Sequence, residues 1–464
     1  MYEISFDRPE RVHFIGIGGI SMSGLAEILL SRGFTVSGSD NKSSGLTDRL
    51  ESAGIKIYIG QRAENIQDGT DLVVYTAAIH EDNPELSEVR RRGLPALTRA
   101  ELLGQIMKNY ALPVAVSGTH GKTTTTSMLS MILMAADTDP TISVGGILKE
   151  IGGNIRIGHS DYFVTEACEY TNSFLSFFPK YGIILNIEED HLDFFKDLSD
   201  IRHSFRKFAE LLPKDGALII NLDIDNYEEI TRGLACRVIT YSASGEDKEA
   251  DYGCLDTEYD DMGCASFELL KGDKKAGRIS LRVPGSHNVS NALAAIAAAE
   301  AVGIAPENIK RGLLEFHGTD RRFEYRGEYK GIKVVDDYAH HPTEIRMTLK
   351  AAERYPHGTL WTVFQPHTYT RTKALFDDFV DALMLSDKVI LAEIYPARET
   401  DDLGLSSAMI CDALNKKGRE SFFFDSFEKI EKFIGENLAP GDLLITMGAG
   451  DVVKIADDLT GKEL

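Results

Sequence analysis

The chain has 464 residues, of which 43% are hydrophobic and 26% charged, proportions of a folded globular protein rather than a disordered one. Its 72 acids outnumber its 50 bases and give a formal charge of −22, which excludes a nucleic-acid-coating role that needs a basic surface. No apolar run approaches the roughly 18 residues of a membrane span, and Met1–Arg11 carries acids where a secretory leader carries an apolar core, so a cytoplasmic protein without membrane insertion is expected. The five cysteines (168, 236, 254, 264 and 411) form no C-x-x-C pair and read as reduced thiols. At about 100–200 residues per domain the length predicts two to four domains, three being the economical parse.

The first segment opens with a buried-strand pattern at 12–16, a glycine cluster and a helical pattern at 22–30. Strands follow at 35–40, 55–59 and 72–75. Strand, helix and strand in this rhythm predict a parallel α/β layer. The cluster Gly16-Ile17-Gly18-Gly19-Ile20-Ser21 lies between strand and helix. A dinucleotide fingerprint would place its third glycine where this chain has Ser21, while Asp40 ends the next strand at a distance suited to a ribose hydroxyl. These residues leave three readings open: NAD, another diphosphate such as the UDP of a sugar nucleotide, or a tight turn without ligand.

The second segment begins near Leu112. A strand at 113–117 leads into Ser117-Gly118-Thr119-His120-Gly121-Lys122-Thr123-Thr124 and then a helix at 123–135. Glycines let backbone N–H groups turn inward around phosphate, and the helix N-terminus adds partial positive charge. Lys122 is placed to reach the β and γ phosphates and Thr123 to put a hydroxyl on Mg²⁺. The usual first glycine of such a loop falls on Val116; Gly118 stands two residues closer. Further strands are predicted at 162–166, 182–186 and 217–221, hairpins or a peripheral sheet over 245–280, and a helix at 288–302. Glu166 ends one strand and Asn186-Ile187-Glu188-Glu189-Asp190-His191 follows another, at the sheet end where nucleotides bind. Glu166 and His191 are therefore metal candidates, although a His is an unusual ligand for Mg²⁺. Asn288 and Asn291 share a helix face and suit either an adenine edge or a polar helix start.

The third segment starts near Phe316, with strands at 333–336, 360–364, 388–392 and 442–447 and helices at 377–384 and 427–437. Asp336-Asp337-Tyr338-Ala339-His340-His341-Pro342 and Gln365-Pro366-His367-Thr368-Tyr369-Thr370-Arg371-Thr372 each follow a strand. They bring Asp, His and Arg to two strand ends, groups that bind a carboxylate or steady an acyl phosphate. The His pair invites a zinc reading that no Cys or carboxylate at ligand spacing completes.

Taken in order, these motifs resemble those of the Mur ligases, the ATP-dependent amide-forming enzymes of bacterial peptidoglycan synthesis, over nearly the whole chain. The G-T-x-G-K-T loop, the E-D-H-L-D segment, the H-N-x-x-N helix start and Arg321-Arg322-Phe323-Glu324 mark the wider family. G-I-G-G-I-x-M-S-G at 16–24, D-D-Y-x-H-H-P-T-E at 336–344 and F-Q-P-H-x-Y-x-R-T at 364–372 resemble the branch that joins L-alanine to UDP-N-acetylmuramate. The resemblance implies three α/β domains: a Rossmann-like UDP-binding domain at 1–108, a central P-loop ATP-binding domain at 109–315 and a Rossmann-like amino-acid-binding domain at 316–464. It implies UDP-sugar binding by Gly16, Gly18, Gly19, Ser21, Asp40, Thr76 and Ala77. ATP would be held by Gly118, Thr119, His120, Gly121, Lys122, Thr123, Thr124, His287, Asn291, Arg322 and Asp337. Mg²⁺ would sit at Thr123, Glu166 and His191, and His340, His367 and Arg371 would face the carboxylate and alanine. Lys122, His191, His340 and Arg371 are the implied catalytic residues, with His340 or His191 taking the amine proton. The implied partners are small molecules only, with no nucleic acid, and the chain is expected to be a monomer or dimer.

The chain departs from the family pattern in two places. The E-x-D-E-S-D run common in relatives reads Glu166-Ala167-Cys168-Glu169-Tyr170-Thr171, and Thr368 replaces an Arg found in many. Arg206 and Lys207 straddle the place where sister ligases carry a carboxylated Lys, and neither is assigned that role. Rival readings are a ligase that recycles preformed peptides, an NAD dehydrogenase, which explains only residues 12–40, and a non-catalytic nucleotide binder.

Overall fold

Short β-branched runs between glycine turns build the first layer: β1 (Arg11–Ile15), α1 (Ile20–Ser31), β2 (Thr35–Asp40), α2 (Gly45–Ser52), β3 (Lys56–Ile59), β4 (Leu72–Tyr75), α3 (Pro84–Arg92), β5 (Ala96–Thr98) and α4 (Arg99–Met107). The computed structural model describes residues 2–76, 78–244, 249–397, 399–400 and 404–461. Its chain divides into two units, Met1–Glu188 with Leu198–Thr240 and Ala294–Ile309, and Glu189–Asp197 with Tyr241–Leu293 and Lys310–Leu464.

In the first unit, β3-β2-β1-β4-β5 form an all-parallel sheet. Local chemistry sets its helix ends. Thr98 and Glu101 make a capping box on α4, and Asn83 caps α3 ahead of Pro84. A second sheet follows, from β6 (Leu112–Ser117), α5 (Lys122–Ala135), β7 (Thr141–Leu148), β8 (Gly153–Arg156), β9 (Tyr162–Glu166), β10 (Tyr181–Ile184), α6 (Leu198–Glu210), β11 (Ala217–Asn221), α7 (Glu228–Thr231) and β12 (Arg237–Tyr241). Its order is β12-β11-β10-β6-β9-β7-β8. β6 pairs in parallel with both β9 and β10, and Val114, Ala115 and Val116 are fully buried, as a strand covered on both faces requires. The two sheets of this unit are joined closely. Arg32 donates to the Gly158 carbonyl at 2.8 Å. The Tyr110 hydroxyl donates to Thr141 at 3.0 Å.

The second unit holds an antiparallel meander of β13 (Tyr252–Tyr259), β14 (Cys264–Lys271) and β15 (Lys274–Pro284). This is the peripheral sheet expected over 245–280; residues 245–248 lie outside the described ones. Along β15 the buried Ile279, Leu281 and Val283 alternate with the exposed Arg278, Ser280 and Arg282. Helices α8 (His287–Ala301) and α9 (Pro306–Glu315) lead to the third sheet. It comprises β16 (Glu324–Tyr329), β17 (Ile332–Asp337), α10 (Pro342–Ala352), β18 (Leu360–Phe364), α11 (Tyr369–Ala374), α12 (Phe376–Leu383), β19 (Lys388–Leu391), α13 (Ser407–Lys416), β20 (Ser421–Phe423), α14 (Phe427–Asn437), β21 (Leu443–Met447) and α15 (Val453–Thr460). The order is β16-β17-β21-β18-β19-β20, parallel except for β16. Apolar clusters cover this sheet, one around Phe364 and Phe379 and another around Trp361 and Ile434. The fold is thus three α/β layers, as the resemblance implies. Among the described residues no helix is long and apolar enough to cross a membrane.

Candidate active site

The loop between β6 and α5 turns on two glycines, Gly118 at φ 142° and Gly121 at φ 83°. A Cβ on Gly118 would come within 2.9 Å of the Leu185 Cβ, so the close approach as well as the angle requires glycine. Asn186 pins the loop. Its Oδ1 accepts the His120 N–H at 2.7 Å and its Nδ2 donates to the His120 carbonyl at 3.1 Å. Lys122 Nζ donates to the carbonyls of Gly118 and Thr119 at 2.5 and 3.1 Å and to Glu169 at 3.0 Å. Burial disfavours the ammonium, but Glu169 foremost, with Cys168 and Glu166, outweighs it and holds Lys122 above the ordinary lysine range. Thr123 is buried beside it and Thr124 half-buried. Glu166 stands in register with Val116 at the same end of the sheet and accepts the Gly145 N–H. The Thr123 hydroxyl and Glu166 carboxylate are oxygen donors of the kind a hard divalent cation takes. Burial pushes the nearby Cys168 thiol up.

The first glycine cluster hangs from β2. The N–H groups of Gly16 and Ile17 both donate to the Ser39 carbonyl, at 2.8 and 3.0 Å. The Gly18 N–H donates to the Asp40 carboxylate at 2.9 Å, so Asp40 closes the loop as well as ending the strand. Gly16 sits at φ 84°, and a Cβ there would meet Thr76 at 2.8 Å. Gly19 and Ser21 are exposed at the start of α1, which has no side-chain cap. Beneath Asp40, the fully buried Glu85 accepts the Ser39 hydroxyl at 2.6 Å and a hydrogen bond from Asn65. Ala77 lies outside the described residues.

The second unit gathers the remaining candidates. Asp337, at the end of β17, accepts the N–H groups of Ala339 and Phe323 at 2.7 and 2.8 Å. Burial, countered by Arg322, leaves it pushed up to about 6. Arg322 lies over the Tyr338 ring and 3.9 Å from Glu344. His340 Nδ1 faces the Tyr338 carbonyl at 3.1 Å. A carbonyl only accepts, so Nδ1 carries the proton and Nε2 the lone pair. Burial holds His340 down to about 4, and His367 and His287 share that direction and value for the same first reason. Arg371 donates to Asp190 at 3.1 Å and its Nη1 lies 3.3 Å from His367 Nδ1. Against the pull of burial, Arg371 and then the neighbouring histidines hold Asp190 well below the usual carboxylate range. His191, a metal candidate, follows Asp190 in this unit at φ 53°. Asn291 donates to Asn288 at 2.9 Å, and Asn288 to the Pro284 carbonyl at 2.7 Å, so the asparagines share one face as expected. Thr368 takes φ 66° as the residue preceding α11. A cavity of about 380 Å³, lined in part by Gln365, Tyr395, Ser426 and Asp451, opens at the carboxyl end of this sheet.

Four residues stand within the quoted sequence segments without an assigned role: Glu169, Asn186, Asp190 and Glu344, each a partner of an assigned group. Glu344 had a local signal, since it stands four residues after His340 and accepts its N–H at 3.1 Å. Glu169 and Asp190 had none, because their partners lie 47 and 181 residues away in sequence.

Comparison with known proteins places the chain. The Mur ligase family's catalytic-domain model matches residues 11–111, its middle-domain model 116–299 and its glutamate ligase domain model 321–450. The UDP-N-acetylmuramate–L-alanine ligase of Agathobacter rectalis is 59% identical over 462 residues, covering 100% of both chains. That of Lachnospira eligens is 59% identical over 99% of this chain and 100% of its own. The crystal structure of the UDP-N-acetylmuramate–alanine ligase of Thermotoga maritima superposes with a TM-score of 0.79 at 31% identity, covering 98% of this chain and 99% of that one. Sheets, loops and full-length likeness agree: this chain belongs to the Mur ligase family.

Proposed function

We propose that this chain joins L-alanine to the carboxylate of UDP-N-acetylmuramate at the expense of ATP, through an acyl phosphate and with release of ADP and phosphate, as a step in peptidoglycan precursor synthesis. The observation that carries this reading is 59% identity over the whole length to ligases of that name. A carboxylate is a poor electrophile because its leaving group would be oxide. Phosphorylation by ATP makes phosphate the leaving group, and the alanine amine then attacks through a tetrahedral oxyanion.

The geometry supports a role for each group. Lys122 binds the nucleotide phosphates and neutralises charge that builds during transfer. Thr123 and Glu166 offer oxygen ligands to Mg²⁺, which when bound would screen the phosphate charge. Arg371, already oriented by Asp190, offers a fixed cation to the acyl phosphate or the oxyanion. His340, neutral with its Nε2 lone pair free of the proton, accepts a proton from the attacking amine. Burial makes it a weak base at rest, and an anionic substrate beside it would raise its proton affinity. Asn291 and His287 face the nucleotide base, and the Gly16–Gly19 loop with Asp40 binds the UDP moiety. The test is phosphate release from ATP and Mg²⁺ with UDP-N-acetylmuramate and each amino acid in turn. Release that needs both the sugar nucleotide and L-alanine is expected. Release only with a preformed tripeptide would replace this reading with peptide recycling.

A further inference from the structure

Lys122 has three N–H groups, and three partners take them: the carbonyls of Gly118 and Thr119, which belong to the loop itself, and the carboxylate of Glu169, which does not. Glu169 is 2% exposed, and the Lys122 side chain keeps only 16% of its surface. An isolated charge in such a place is costly, so each member of the pair needs the other. Glu169 is also held firmly. Its carbonyl accepts the Asn172 N–H at 2.9 Å, and Thr171 and Asn172 both sit in the left-handed region, at φ 54° and 57°. Such backbone persists only where surrounding structure imposes it. In the resting protein the lysine of the phosphate loop is therefore already neutralised by a carboxylate from the segment that follows the neighbouring strand β9.

We propose that Glu169 is a resting-state counter-ion that a nucleotide phosphate must displace from Lys122, and that this exchange sets the affinity of the loop for nucleotide. The proposal rests on the reading of Lys122 as a phosphate ligand. Phosphate oxygens compete with Glu169 for the same N–H, because the other two are taken by carbonyls of the loop itself, and the phosphate charge repels the carboxylate at close range. Nucleotide binding thus bears the cost of parting the pair. Removing the charge at Glu169 while keeping its shape lowers that cost and leaves Lys122 in want of an anion.

The sign of the change separates this role from a buttress. Calorimetric titration of the full-length chain with ADP and with a non-hydrolysable ATP analogue, each with and without Mg²⁺, is the measurement. Glu169→Gln should bind both nucleotides about tenfold more tightly than the wild type, with the larger gain in the absence of Mg²⁺. Glu169→Ala should move in the same direction, which guards against a folding defect peculiar to one variant. Lys122→Ala should lose binding in either background. Unchanged or weaker binding by folded Glu169→Gln and Glu169→Ala, with Lys122→Ala still inactive in binding, would overturn the counter-ion and leave the phosphate loop standing. Normal binding by Lys122→Ala would instead overturn the reading of the loop itself.

Discussion

Asp190 and Arg371 form an ion pair in which the two side chains retain only 9% and 13% of their surface. Breaking such a pair strands the remaining charge, whereas removing both charges does not. Arg371→Ala should therefore abolish turnover and also lower stability by about 3 kcal/mol in urea unfolding. Asp190→Asn combined with Arg371→Ala should recover most of the stability and none of the activity. Equal stability of the single and double variants would mean that the pair is only an orienting contact. A second expectation concerns pH. His287, His340 and His367 are held down to about 4, chiefly by burial, while unfolded histidine titrates near about 6.5. Between these values the unfolded chain binds more protons, so the histidines' contribution is complete above about pH 6.5 and is lost as pH falls towards 4. Asp337, pushed up to about 6 by burial, acts in the opposite sense, its contribution being lost as pH rises from 3.8 to 6. Three groups outweigh one, so the melting temperature should fall between pH 7 and pH 5. His340→Gln should make that decline shallower; an unchanged slope would show that His340 titrates normally.

Elements differ in how plainly they could be read. β2, β4, β11, β18 and α14 lie at the residues expected, because apolar runs between glycine or polar breaks leave few alternatives. The expected strand over 182–186 stops at Ile184, and Asn186 instead turns its amide to the phosphate loop. Helices α3 and α4 were passed over. α3 carries six polar or charged side chains behind Pro84, one of them the buried Glu85, and only Leu86 and Val89 add apolar side chains to its inner face, so its periodicity is faint. The Thr98–Glu101 capping box of α4 was the available signal. That helix also supports a prediction. A Cβ on Gly104 would lie 2.0 Å from the Ser176 carbonyl oxygen, which is backbone and cannot swing away. Gly104→Ala should cost at least about 1–3 kcal/mol as an overpacked site. Gly45→Ala, where a Cβ meets nothing within 4 Å, should be neutral or slightly stabilising. Similar melting temperatures for the two would contradict the close approach of α4 to Ser176.

At the scale of the whole molecule, the three α/β layers were legible because strand and helix alternate along most of the chain outside the β13–β15 meander and the β16–β17 hairpin, and the groups on the strand-end loops were legible because phosphate chemistry restricts their sequence. What stayed hidden was the set of buried acids that answer those groups. Glu85 meets Ser39 across 46 residues and Asp190 meets Arg371 across 181, distances at which local sequence carries no trace of pairing. The same acids contribute to a charge of −22, carried by a protein whose proposed substrates are anions. Long-range repulsion should slow their encounter and yield to screening, since the Debye length falls from about 30 Å at 0.01 M salt to about 8 Å at 0.15 M. The kcat/KM for ATP should accordingly rise about two- to threefold over that range at fixed free Mg²⁺, as initial rates would report. A fall instead would mean that local positive charge at the loops dominates the approach.

The alternation along β15 bears on a different hazard. This strand ends its sheet, and an open edge invites another polypeptide to add itself, the first move of aggregation. β15 begins Lys274-Lys275, presents Arg278 and Arg282 outward and closes at Pro284. Any chain docking there would have to bury these cations and would find no N–H to pair with at the proline. The meander is thereby guarded against amyloid-like stacking while a long, multi-layered chain is still completing its folding.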